Sequence, residues 1–146
     1  MNELTLENAN RIIEAALARA REMELPPLSV AVLDAGGHLK ALQREDGQAF
    51  LRVRVCQAKA WGALALGTDS ANIAERYEQG LRQQGFFGAL NAMSGGRLIP
   101  LPGGVLIHNR SGDIIGAVGV AGAVSEEDEA CAMAGIAAAG FGTSGD

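Results

Sequence analysis

The chain has 146 residues, 48% of them hydrophobic and 20% charged, with a net charge of -5 and a sequence pI of about 5.0. This is enough apolar material for one cored domain over residues 1–146, and it argues against disorder. With no Lys/Arg cluster, the acidic balance also excludes nucleic acid and an anionic membrane surface as natural partners.

Met1-Asn2-Glu3-Leu4-Thr5 has neither the basic nor the apolar region of a signal peptide, and no apolar run reaches membrane-spanning length. The expected location is therefore cytoplasmic. Thr5 to Glu24 reads as an amphipathic helix, with Leu6, Ala9, Ile13, Ala16, Leu17 and Ala20 at helical spacing. Thr5 is placed to cap it and Pro26-Pro27 to stop it. Ser29 to Leu33 is a strand, Asp34-Ala35-Gly36-Gly37 a turn, and His38 to Arg44 the returning strand of a hairpin. Phe50 to Leu66 is a long helix that breaks at Gly67-Thr68-Asp69. Ser70 to Gln84 is a more polar helix, and Phe86 to Met93 a single helical turn.

Leu98 to Leu101 is a short extended piece that Pro100 keeps to an edge. Gly104 to His108 and Asp113 to Val120 are strands around the turn Asn109-Arg110-Ser111-Gly112. The last helix opens at Ser125-Glu126-Glu127-Asp128, a capping-box-like start, and runs to about Phe141; Gly142 to Asp146 is a frayed tail. Tight hairpins imply an α/β (α+β) fold with an antiparallel sheet and helices on its faces. Abundant Ala and 20 Gly imply close helix-to-sheet contacts and a thin core, so a homo-oligomer is expected.

No GxGxxG opens a helix, and no GxxxxGK[ST] or GxSxG is present. Cys56 and Cys131 lie outside any CxxC and read as reduced, buried thiols. No cluster of His, Cys, Asp or Glu suggests a metal site. His38 and His108 lie beside turns, and either has the chemistry of a haem ligand or proton shuttle; a plain surface histidine is the competing reading. Arg44 has the geometry to clamp a carboxylate, or to pair within its own loop. Lys59, amid Ala58, Ala60 and Trp61, either snorkels outward or meets a ligand. Gly103-Gly104 is either an anion-facing backbone concavity or a tight turn into a strand. Glu126 to Glu129 reads as capping charge.

Several segments, in order, resemble the GlcG/HbpS family. Val30 to Leu39 is similar to its "V-V-D-x-x-G-x-L" hairpin, and Arg44-Glu45-Asp46-Gly47 to its "R-M-D-G" element. Ala58-Lys59-Ala60 is similar to its "K-A" helix and Gly103-Gly104-Val105 to its "G-G-x-P" loop. Gly112 to Gly122 resembles its "G-x-x-I-G-A-I-G-V-S-G" strand, and Asp128 to Gly135 its closing "D-x-x-x-A-x-A-G" helix. Leu106 stands where the family often has Pro, and Ala121 where it often has Ser. The resemblance, also to the C-terminal domain of PduO, implies a profilin-like fold with a five-stranded antiparallel sheet and assembly as dimers or higher oligomers. Some members bind haem, so haem is a possible cofactor.

The leading reading is a homo-oligomeric binder of haem or a small carboxylated metabolite, held by His38, Arg44, Lys59, Gly103 and Gly104. Under that reading Gly104→Ala loses ligand affinity but keeps its stability, and His38→Ala weakens haem binding. A rival is a small catabolic isomerase or tautomerase acting on a hydroxy- or oxo-acid, with Asp34 or His38 moving the proton. A structural accessory protein is the third.

Overall fold

The computed structural model describes residues 3–144. Helix α1 (Leu6–Glu22) begins where Thr5, in extended backbone, accepts the Asn8 N–H on its hydroxyl at 3.1 Å. It buries Ala9, Ile12, Ile13, Ala16 and Ala20, while Leu6 stays exposed. It ends before the two prolines, because Glu24 turns left-handed with φ 56°.

Strands β1 (Ser29–Asp34) and β2 (Leu39–Arg44) form the expected hairpin. At its tip the Asp34 carboxylate accepts the backbone N–H groups of Gly36 and His38, each at 3.0 Å, and Gly37 supplies a left-handed φ of 84°. Strands β3 (Gly104–His108) and β4 (Ile114–Ala121) form a second antiparallel pair, and β4 docks on β1. The sheet order is β2-β1-β4-β3.

Alternation along the strands sends side chains to two different layers. Val30, Val32, Val105, Ile107, Val118 and Val120 face α1 and α5 (Ser125–Ala138), meeting Ile12, Ile13, Cys131, Ala132 and Ile136. Burying each such aliphatic side chain contributes about 1.5–3 kcal/mol. The opposite face carries Ala31, Leu33, Leu106, Ala117 and Ala121 against α2 (Leu51–Leu66). Small residues dominate there, so α2 lies nearly on the sheet backbone. A methyl on Gly119 would collide with the Cys56 carbonyl, and one on Gly104 with the Lys59 carbonyl. The two cysteines are free and buried, one in each layer.

Edge strand β3 is closed by side chains and backbone. Its outward N–H groups at Gly104, Leu106 and His108 donate to Ser70 Oγ (2.7 Å), Asp69 Oδ1 (2.9 Å) and the Gly142 carbonyl (2.9 Å). Gly142, expected in a frayed tail, is therefore tied to the sheet; Gly145 and Asp146 lie outside the described residues.

Four expectations are corrected. The sheet has four strands among the described residues, not five. Leu98 to Leu101 does not join it: the Leu98 N–H goes to Asn91 Oδ1, the Leu101 N–H to the Ile99 carbonyl, and Pro100 has none to give. The polar helix ends early, as α3 (Ser70–Tyr77), because Gly80 at φ 133° cannot continue it. The single turn expected after it is a full helix, α4 (Leu81–Met93), with Gly85 and Gly88 on open sides. Finally, α5 is not closed by a side-chain cap: Val124 stands at its N-cap.

Candidate functional site

Residues 54, 57, 58 and 61 of α2 share one helix face, at spacing i, i+3, i+4, i+7. That face, the hairpin tip and the loop after α4 enclose a cleft of about 350 Å³. Its lining is Leu33, Gly37, Leu39, Arg54, Gln57, Ala58, Trp61, Gly95, Gly96 and Arg97. The volume lies in the range of small-molecule sites, about 300–1,000 Å³. The Trp61 indole forms one wall because Gly37 lacks a side chain: a Cβ there would lie 3.0 Å from Trp61 Nε1. The Arg97 guanidinium sits 5.2 Å from the Trp61 ring centroid. Such a stack is worth about 0.5–1 kcal/mol when exposed. Neither Arg54 nor Arg97 pairs with a carboxylate among the described residues. In a chain of net charge -5 the cleft therefore presents two uncompensated cations beside an aromatic face. Among the lining residues, Gln57 has its amide donating to the Val53 carbonyl at 3.1 Å.

The residues singled out in the sequence fall in four separate places. His38 is at the hairpin tip with its side chain 82% exposed, and its Nδ1 is 3.3 Å from Asp34 Oδ1. Backbone N–H donation, above all from His38, holds the Asp34 carboxyl below its ordinary value. The pair borders a separate open surface with Leu4, Ile114 and Ile115. Arg44 is six residues further along β2, about 20 Å from His38 at the ordinary strand rise. It has no ion-pair partner among the described residues; its neighbour Glu45 pairs with Arg21 instead. His108 ends β3, bridged through its backbone to Gly142.

Lys59, Gly103 and Gly104 do meet, but as packed interior. Lys59 neither snorkels nor reaches a cleft: it is 2% exposed, with Nζ 2.9 Å from the Val120 carbonyl and 3.0 Å from Asp128 Oδ2. Asp128 Oδ1 also accepts the Ala123 N–H at 2.9 Å. Burial pushes the Asp128 carboxyl up while the Lys59 ammonium opposes it. So Asp128, grouped in the sequence with the capping acids, is the buried partner of Lys59. Gly103 lies over that ammonium, where a Cβ would be 2.9 Å from Lys59 Nζ. The Gly104 N–H, expected to face an anion, already donates to Ser70 Oγ. The backbone is tightly packed at this pair, so Gly104→Ala is expected to lower stability.

Arg54, Trp61 and Arg97 were not singled out as site residues. The helical spacing from Arg54 to Trp61 was a readable signal; Arg97 lies in a loop, and nothing local marks it. Among the described residues no three His, Cys, Asp or Glu side chains gather at metal-binding distance, and no helix is long and apolar enough to cross a membrane.

A family model described as "Haem degrading protein HbpS-like" matches residues 4–137. The chain belongs to the HbpS-like family. The corrinoid adenosyltransferase PduO of Salmonella typhimurium is 26% identical over 140 residues, covering 96% of this chain and 40% of PduO. The chain thus spans about two-fifths of the length of that relative. Among solved structures, the PduOC:haem complex superposes with a TM-score of 0.84 at 26% identity, covering 97% of this chain and 98% of that one. A double mutant of Streptomyces reticuli HbpS superposes at 0.77 with 28% identity, covering 94% and 87%. The HbpS-like fold, with helices on both faces of an antiparallel sheet, is shared across these proteins.

Proposed function

We propose that this HbpS-like protein binds a flat, carboxylate-bearing small molecule in the Trp61 cleft, with a haem-type tetrapyrrole as the candidate ligand. The observation that carries this reading is the pair of unpaired guanidiniums, Arg54 and Arg97, flanking one aromatic wall. Such a ligand needs an apolar face and fixed cations for its acid groups. Trp61, Leu33, Leu39 and Ala58 offer the first; Arg54 and Arg97 offer the second. The haem complex of the similar PduOC supports the ligand class. The isomerase reading loses support, because Lys59 is sequestered and Arg44 is remote from the Asp34–His38 pair.

Trp61 is the only tryptophan, so its fluorescence reports the cleft directly. Titration with haemin should quench it to saturation. Arg54→Met and Arg97→Met should each weaken binding about tenfold, about 1.4 kcal/mol. Unchanged affinity in both variants would place the ligand elsewhere.

Self-association belongs to the same reading. Helix α4 buries only Phe87, yet Phe86 and Met93 are 48% and 80% exposed. With Ala89 and the half-buried Leu90 they follow i, i+3, i+4, i+7 spacing, a stripe that a second copy would cover. Light scattering should give at least a dimer at micromolar concentration, and Phe86→Glu with Met93→Glu should give a folded monomer. A monomeric parent protein would remove this part of the proposal.

A further inference from the structure

We infer that the cleft selects its ligand by ring face and carboxylate edge, so that a metal-free dicarboxylate porphyrin binds about as tightly as the iron-loaded one. The inference rests on the proposed function and narrows its ligand class.

Haem carries three recognisable parts: an apolar macrocycle, two carboxylates and an iron that seeks a nitrogen, sulfur or phenolate donor. The first two fit the cleft. The third does not, because no His, Cys, Met or Tyr is among its lining residues. Cys56 and His38 adjoin lining residues in sequence, and neither is part of the lining. Cys56, two positions from Arg54 on α2, is fully buried, its thiol is pushed up to about 12 by burial, and its Sγ lies 3.2 Å from the Val53 carbonyl. His38 adjoins Gly37 in sequence, but its side chain lines the separate Leu4–Ile114 surface and not the cleft.

Metal coordination would therefore add little to affinity. The discriminating contacts are two cations and one indole. Paired arginines recognise two anionic groups on one ligand edge, and masking those groups removes both charge-assisted interactions at once.

The test titrates Trp61 fluorescence of the full chain with haemin, metal-free protoporphyrin and the dimethyl ester of that protoporphyrin, in wild type and His38→Ala. Protoporphyrin is expected within about threefold of haemin, the diester at least tenfold weaker, and His38→Ala unchanged with either acid. Haemin binding at least tenfold tighter than protoporphyrin, or a His38→Ala loss confined to haemin, would overturn the inference while leaving the proposed function standing. Equal binding of diester and acid would overturn the arginine basis of both. Failure of every porphyrin to quench Trp61 would overturn the proposed function, and this inference with it.

Discussion

Gly119→Ala is expected to be among the most damaging single-methyl additions in this protein, lowering stability by about 3 kcal/mol or more. The added Cβ falls on the carbonyl of Cys56, a backbone atom in mid-helix α2 that cannot rotate away. Overpacking usually costs about 1–3 kcal/mol, with larger values where the neighbours cannot yield. Relief requires lifting α2 off the sheet, which opens the contacts of Leu33, Ala60, Ala63, Leu106 and Ala117. For a chain of this size the loss corresponds to a fall in Tm of roughly 10 °C. Gly104→Ala, which meets the Lys59 carbonyl, should behave alike. Gly88→Ala is the control: it sits in α4 with open space beside it, and should be neutral or stabilising by up to about 1 kcal/mol. Thermal melts of the three variants decide the matter. Equal Tm values would mean that α2 does not rest on the sheet backbone.

Removing one partner of the buried pair should be comparably severe. Lys59→Met leaves the Asp128 carboxylate, 1% exposed, without its ion-pair partner. Breaking such a pair costs about 3–5 kcal/mol, mostly the penalty of the charge left behind. Lys59→Met with Asp128→Leu should recover part of the loss but not all, because the Val120 carbonyl and Ala123 N–H would lose their partners. The deficit should also depend on pH. Burial pushes the Asp128 carboxyl above its ordinary value of 3.8, and Lys59 pulls it back. An acid whose pKa is raised by folding favours the folded state as pH falls through the interval above the unfolded value. Without Lys59 that interval widens, so the gap between Lys59→Met and wild type should narrow as the pH approaches 4. Urea unfolding at neutral and acid pH measures it; a pH-independent gap would mean that Asp128 is not desolvated.

Local chemistry made much of the fold legible. Thr5 caps as expected, the Asp34–Gly37 turn closes through its own carboxylate, and the apolar runs around Val32 and Val118 are central strands. Legibility failed where the deciding partner was distant. The Asn91 side chain takes the N–H that Leu98 would need for a fifth strand. Gly80, in a polar stretch with no apolar periodicity to break, divides α3 from α4. The site was harder still. Lys59 stood out as a charge among apolar neighbours, but its partner Asp128 is 69 positions away and resembled a helix cap. The glycines at 103 and 104 marked a close approach, and the sequence left open whether ligand or helix was the thing approached. Arg97 reaches Trp61 only because the loop after α4 returns to α2.

The closure of β3 limits how copies of this sheet can add to one another. A sheet with two free edges can accept strands head to tail without end, which is the geometry of a fibre. Here the outward donors of β3 are taken by Asp69, Ser70 and Gly142, so strand addition has one remaining acceptor, β2. When two such edges meet, each uses up the other and none is left over. Addition along the sheet therefore terminates at a pair, and the exposed charges Lys40 and Arg44 on β2 discourage even that step. The arrangement gives a small, glycine-rich sheet a single edge open to strand addition among the described residues.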